Sequence, residues 1–152
     1  MIQRVQSLFL ALAIALMLSS AIYFPIWKTA IDNCTYLISS LYATKTCGSV
    51  VDQSQFIGYI FMLELLFSGI CLVSLVSYKN RRKQLMLGGI NSIVGSACLV
   101  CMIFFTNTWV KELGGPYGLG FHLPLVSIFL NILANRFIRK DEKLVKSLDS
   151  IR

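Results

Sequence analysis

The chain has 152 residues, of which 56% are hydrophobic and 14% charged, with a formal net charge of +7. A soluble domain of this size carries about 45–50% apolar and about 25% charged residues, so composition excludes an ordinary soluble domain and leaves no room for a second one. The basic residues flank long apolar runs and form no single soluble face, which argues for a membrane protein and against nucleic-acid recognition.

A spanning helix needs about 20 predominantly apolar residues. Four stretches have that length: 5–24, 56–77, 85–106 and 117–138. The expected fold class is all-α: a polytopic membrane protein with four transmembrane helices in 1–138 and a short amphipathic helix in the tail 139–152. The first stretch has a rival reading as a signal peptide, with Arg4 before the apolar run Leu8–Leu18 and a weak cleavage site at Ser19-Ser20-Ala21. Its length favours a retained helix.

The loop 25–55 is polar, with Pro25, Trp27 and Tyr36 expected at the membrane interface. Cys34 and Cys47 are its only cysteines. They either form a disulfide, contributing about 3 kcal/mol for a loop of that length, or remain independent thiols.

The second span holds Glu64, the one charged residue deep in any span. An intramembrane carboxyl costs about 2.5–3.5 kcal/mol on insertion scales, so it should face the bundle interior with a partner. By depth, Ser96 and Ser127 are the nearest candidates, and Ser68 and Cys71 extend the same face. One reading is a proton or ion site. The other is a protonated carboxyl, hydrogen-bonded to hydroxyls or carbonyls, that fixes helix packing.

Between the second and third spans, Tyr78-Lys79-Asn80-Arg81-Arg82-Lys83 carries four positive charges. Together with Arg4 and with Arg136, Arg139, Lys140, Lys143, Lys146 and Arg152, it puts eleven Lys and Arg on one side. Only Lys28, Lys45 and Lys111 fall on the other. The positive-inside rule then places both termini and this turn in the cytoplasm of a bacterial inner membrane, with 25–55 and 107–116 outside.

The third span is rich in small residues, and Gly88, Ser92 and Ser96 repeat every four, a pattern that brings helices close in lipid. Asn91 and Gly95 share a face with Cys98 and Met102. The glycine-dense stretch Gly114–Gly120 implies tight turns. Pro124 to Ile138 is only about 22 Å of helix, so either the last helix starts earlier and kinks at Pro124, or the glycine stretch dips into the bundle. His122, the sole histidine, stands alone. In the tail, Leu144, Leu148 and Ile151 form an apolar stripe with mixed charge around it. That tail is expected either to lie on the membrane surface or to continue the fourth helix toward a partner.

Little in the sequence carries chemistry. Cys98-Leu99-Val100-Cys101 with Cys34 and Cys47 looks somewhat like the membrane thiol oxidases, which pair a loop disulfide with a membrane-edge C-x-x-C. On that analogy Cys98 and Cys101 would face a quinone. No Lys, Arg or His neighbours the motif to activate a thiolate. No catalytic triad, cofactor motif or metal-spaced cluster occurs, so neither a cofactor nor a metal is implied.

Met1-Ile2-Gln3-Arg4, Tyr78-Lys79-Asn80-Arg81, Tyr117-Gly118-Leu119-Gly120 with Leu123-Pro124-Leu125, and the tail from Ala134 to Arg152 carry a resemblance over nearly the whole chain. The chain resembles a family of small four-helix inner-membrane proteins of unknown function from Bacteroidetes-type bacteria. The resemblance implies topology and compartment, and no reaction. The leading expectation is a non-enzymatic accessory subunit of a larger membrane complex, such as translocation, secretion or envelope-assembly machinery. The alternatives are a thiol oxidoreductase and a Glu64-dependent proton or solute pathway. Expected partners are the bilayer and other membrane subunits. Lys79, Arg81, Arg82, Lys83, Arg136, Arg139, Lys140, Leu144 and Leu148 are expected to meet them, anionic lipid or, by charge alone, ribosomal RNA.

Overall fold

Helix α1 (Ile2–Tyr23) leads into four strands, β1 (Trp27–Ile31), β2 (Cys34–Ile38), β3 (Tyr42–Cys47) and β4 (Val50–Phe56). Helices α2 (Tyr59–Val76), α3 (Arg81–Leu113) and α4 (Leu119–Asp149) complete the chain. The computed structural model describes residues 2–48, 50–78 and 80–149, with the side chains of 2–4, 52, 53 and 143–149 left undescribed. Lys79 and the side chains of Leu144 and Leu148 therefore lie outside the described residues.

All four helices are long and apolar enough to cross a membrane. Each packs on its neighbour in sequence, and α4 closes the ring against α1. Large apolar side chains such as Leu8, Met62, Ile93 and Phe104 point outward, while Gln6, Ser20, Glu64, Asn91 and Asn131 point inward. That inverted pattern is what lipid demands: the solvent is as apolar as the core, and polar groups must find partners inside.

The all-α expectation is corrected by the sheet. Loop 25–55 folds as an antiparallel meander, β1-β2-β3-β4. Its first hairpin turns on Asp32 and Asn33, both at positive φ (51° and 61°), the two-residue geometry whose twist matches paired strands. Trp27, Ile38, Ala43 and Ile57 at the bundle-facing end of the sheet join the helical core. Trp27 is fully buried and not an interface ring. Cys34 and Cys47 are register partners across β2 and β3 and are joined as a disulfide. They sit at the opposite end of their strands from Ile38 and Ala43.

Two helices overrun their expected ends. α3 starts on an Asn80 cap, whose side chain accepts from the Lys83 N–H at 3.4 Å. It passes the expected stop at residue 106 and ends at Gly114, which takes φ 66° and donates its N–H to the Val110 carbonyl. Only glycine adopts that conformation cheaply. The added turns carry Trp109 against Tyr36 of the sheet, with ring centroids 6.0 Å apart, so α3 props the sheet. Thus 107–116 is mostly helix and not a loop.

α4 begins five residues ahead of Pro124 and runs unbroken to Asp149. Residues 139–149 continue the fourth helix and form no separate surface element. No Gly or Pro follows Pro124 to stop it. Arg81 at the start of α3 ties the extension down, its Nη1 lying 3.0 Å from Asp141 Oδ2 and donating to the Asp141 carbonyl at 3.3 Å.

Candidate functional site

Pro124 has no N–H, so the carbonyl four residues earlier, that of Gly120, loses its helical donor. A buried carbonyl left alone in an apolar setting costs about 1–3 kcal/mol. The Ser20 hydroxyl fills the gap from α1, donating to the Gly120 carbonyl at 2.7 Å. The same oxygen stands 3.2 Å from Glu64 Oε1 on α2. One serine thus joins α1, α2 and α4 at a single point, where Ser20 and Glu64 are fully buried.

Gly120 is brought there by backbone pairing. The Gly120 N–H donates to the Pro25 carbonyl at 3.0 Å, and the Gly118 N–H to the Ile26 carbonyl at 2.8 Å. Trp27 adds a bridge to Tyr117. The segment linking α1 to the sheet is therefore zipped to the turn that opens α4. Ser40, in the β2–β3 connection, is the other polar neighbour of the carboxyl. Its hydroxyl does not reach hydrogen-bond geometry, and Ser40 Oγ, Glu64 Oε2 and Trp27 Nε1 have no hydrogen-bond partner among the described residues.

Toward the other end of the bundle lies a second polar layer. Asn131 on α4 donates to the Gly88 carbonyl and to Ser92 Oγ, both at 3.1 Å. Asn91 on α3 donates to Cys71 Sγ at 2.9 Å, and Gln84 Nε2 to the Ser74 carbonyl at 2.9 Å. Asn135 packs directly on Gly88, where a side chain would collide with it. Between the layers, Phe67 and Ile128 press on Gly95: a Cβ there would sit 2.6 Å from Ile128 and 3.0 Å from Phe67. Along each helix these apolar residues fall between Glu64 and Cys71, Pro124 and Asn131, Asn91 and Cys98.

Ser96 and Ser127 are not the partners of Glu64. Ser96 is exposed and bonds back to the Ser92 carbonyl at 2.8 Å. Ser127 is buried but bonds back to the Leu123 carbonyl at 3.0 Å. The reason is one of position along the helix. Residues 56–58 belong to the sheet and its turn, so α2 starts at Tyr59. Glu64 is then only about 7.5 Å into the helix, level with the last turn of α1. Pro124 was the signal for the missed partner: it predicts an orphan carbonyl at Gly120 and hence a donor nearby.

The cysteines are not brought together. Cys98 is buried in the bundle and Cys101 half-buried, both as free thiols. The joined pair stands at the far end of the sheet. His122 is exposed, with Nδ1 2.9 Å from the Gly118 carbonyl. Among the described residues no three His, Cys, Asp or Glu side chains form a metal-holding group. Arg82, Lys83, Arg136, Arg139 and Lys140 are exposed.

Residues 2–151 match the family described as Domain of unknown function (DUF4293). The chain belongs to that family. No curated protein matches it. Membership covers both polar layers and the sheet in one unit, so the Ser20–Glu64–Gly120 junction lies within the family's domain.

Proposed function

We propose that the protein is a non-enzymatic accessory subunit of a larger bacterial inner-membrane complex, gripping its partner through the free edge of β4. The observation that carries this is the character of that edge. β4 is the last strand of the meander, with β3 on one side only. Val50 and Val51, at the end of the strand far from the bundle, are 66% and 60% exposed. An unpaired strand edge invites pairing with another chain, and this one opens on the exposed valine pair before the polar run Asp52-Gln53-Ser54-Gln55.

Three further features support the reading. Arg81, Arg82, Lys83, Arg136, Arg139 and Lys140 lie at the end of the bundle away from the sheet, and under the positive-inside rule that distribution favours an outer sheet with both termini cytoplasmic. A disulfide in the sheet suits an oxidising exterior. The interior polar groups bind helix to helix, and the Phe67–Ile128 layer separates Glu64 from the amides, so the interior serves packing better than a proton path. Machinery for translocation, secretion or envelope assembly would use such a subunit.

Purification from native membranes in mild detergent tests it. The expected result is a discrete assembly containing a second chain in fixed ratio. A protein that runs alone at bundle size counts against the proposal.

A further inference from the structure

We infer that the cleft between α3 and α4 at the basic end of the bundle is a binding site for the phosphate of an anionic phospholipid. The cleft measures about 390 Å³ and is lined by Gly89, Ser92, Ile132, Asn135, Arg136 and Arg139. Arg136 and Arg139 are three residues apart on one face of α4, both exposed. Neither has an ion pair or hydrogen bond to the described residues; the arginine ion pair among them is that of Arg81 with Asp141.

A guanidinium beside hydrocarbon is costly without a counter-ion. No acidic side chain lines the cleft, and the anion at hand there is lipid phosphate. Two arginines one turn apart present paired N–H forks that match phosphate oxygens. The other wall makes room. A Cβ built on Gly89 would meet nothing within 4 Å, so the helix surface is notched beside the two charges. The Ser92 hydroxyl is committed to the Gly88 carbonyl at 3.0 Å and adds polarity without competing charge. Ile132, 41% exposed, gives an acyl chain an apolar surface to lie on. A free phosphate ion would have no use for that wall, so the site is assigned to a lipid headgroup. Basic pockets between membrane helices hold anionic lipids in this way. The inference rests on the four-span reading and not on the subunit proposal, so either can fail while the other stands.

The test uses the full chain reconstituted in phosphatidylcholine vesicles, with and without phosphatidylglycerol, and compares lipid retained through delipidation by native mass spectrometry. The wild type should retain one phosphatidylglycerol and melt at a higher temperature when it is present. Replacing both arginines (Arg136→Gln with Arg139→Gln) should weaken retention about 30-fold, the factor for two basic residues at an anionic surface. Gly89→Leu keeps both charges and fills the notch, and should lose the retained lipid as well. Retention by Gly89→Leu equal to wild type would show that charge alone holds the lipid and would overturn the site. So would an equal rise in melting temperature with inorganic phosphate, or equal retention of phosphatidylcholine.

Discussion

Gly120→Val abolishes the folded bundle, with an expected loss of more than about 3 kcal/mol. The atoms that a Cβ at this position would meet are backbone: the Phe24 carbonyl oxygen at 2.5 Å, with the Pro25 carbonyl carbon and oxygen at 2.6 Å. A flexible side chain could swing aside, but this segment is held by hydrogen bonds from Gly118, Gly120 and the sheet. The Ile26 N–H itself donates to the Ile38 carbonyl at 2.7 Å. Yielding would unzip the junction of α1, α4 and the sheet together. Even Gly120→Ala should cost nearly as much, because the Cβ is the clashing atom. Gly69→Ala in α2 is the contrast, since nothing lies within 4 Å of a Cβ there. It should gain up to about 1 kcal/mol from helix propensity alone. Thermal melts in detergent, read with size-exclusion profiles, separate the outcomes.

The second large effect is at Ser20. Interhelical hydrogen bonds in membrane proteins contribute about 0.6 kcal/mol on average and about 1.7 at most, because the separated helices find other partners. Ser20 should reach the top of that range, about 1.7 kcal/mol for Ser20→Ala. Its one hydroxyl proton goes to the Gly120 carbonyl, to which Pro124 denies the usual donor, while the same oxygen sits beside the Glu64 carboxyl. Ser20 and Pro124 should therefore be coupled. Pro124→Ala restores an N–H four residues after Gly120 and should recover about half of what Ser20→Ala loses. Strictly additive effects in the double-mutant cycle would show that the serine and the proline do not share this carbonyl.

The four apolar runs announced four helices because lipid requires about 20 apolar residues per crossing, and that demand overrides finer local preferences. The sheet was written more faintly. Asp32-Asn33 between two five-residue strands, and Cys47-Gly48 before a valine pair, are turn signals of the hairpin kind. In a chain dominated by hydropathy they look like ordinary loop residues. Because the sheet and its turn take residues 56–58, α2 starts three residues later than hydropathy alone implies, which sets Glu64 nearer the helix end than the level of Ser96 and Ser127. Helix ends are hidden from hydropathy for a related reason. Trp109, Val110 and Leu113 continue α3 to hold the sheet, and hydropathy does not record a helix that projects beyond the bilayer. The buried face of α3, with Asn91, Gly95, Cys98 and Met102, was readable because its seven-residue spacing survives in lipid as in water. The partner of Glu64 was not, since a single serine at the end of α1 has no periodicity to betray it.

Photo-crosslinking from Val50 in native membranes tests the subunit proposal most directly. A crosslinker placed at Val50 should give one discrete adduct with a different chain, while one at Phe104, 82% exposed on the bundle, should give lipid adducts without that partner. No protein adduct at Val50, or the same adduct pattern from both positions, would contradict the proposal that the free edge of β4 is where this protein meets its complex.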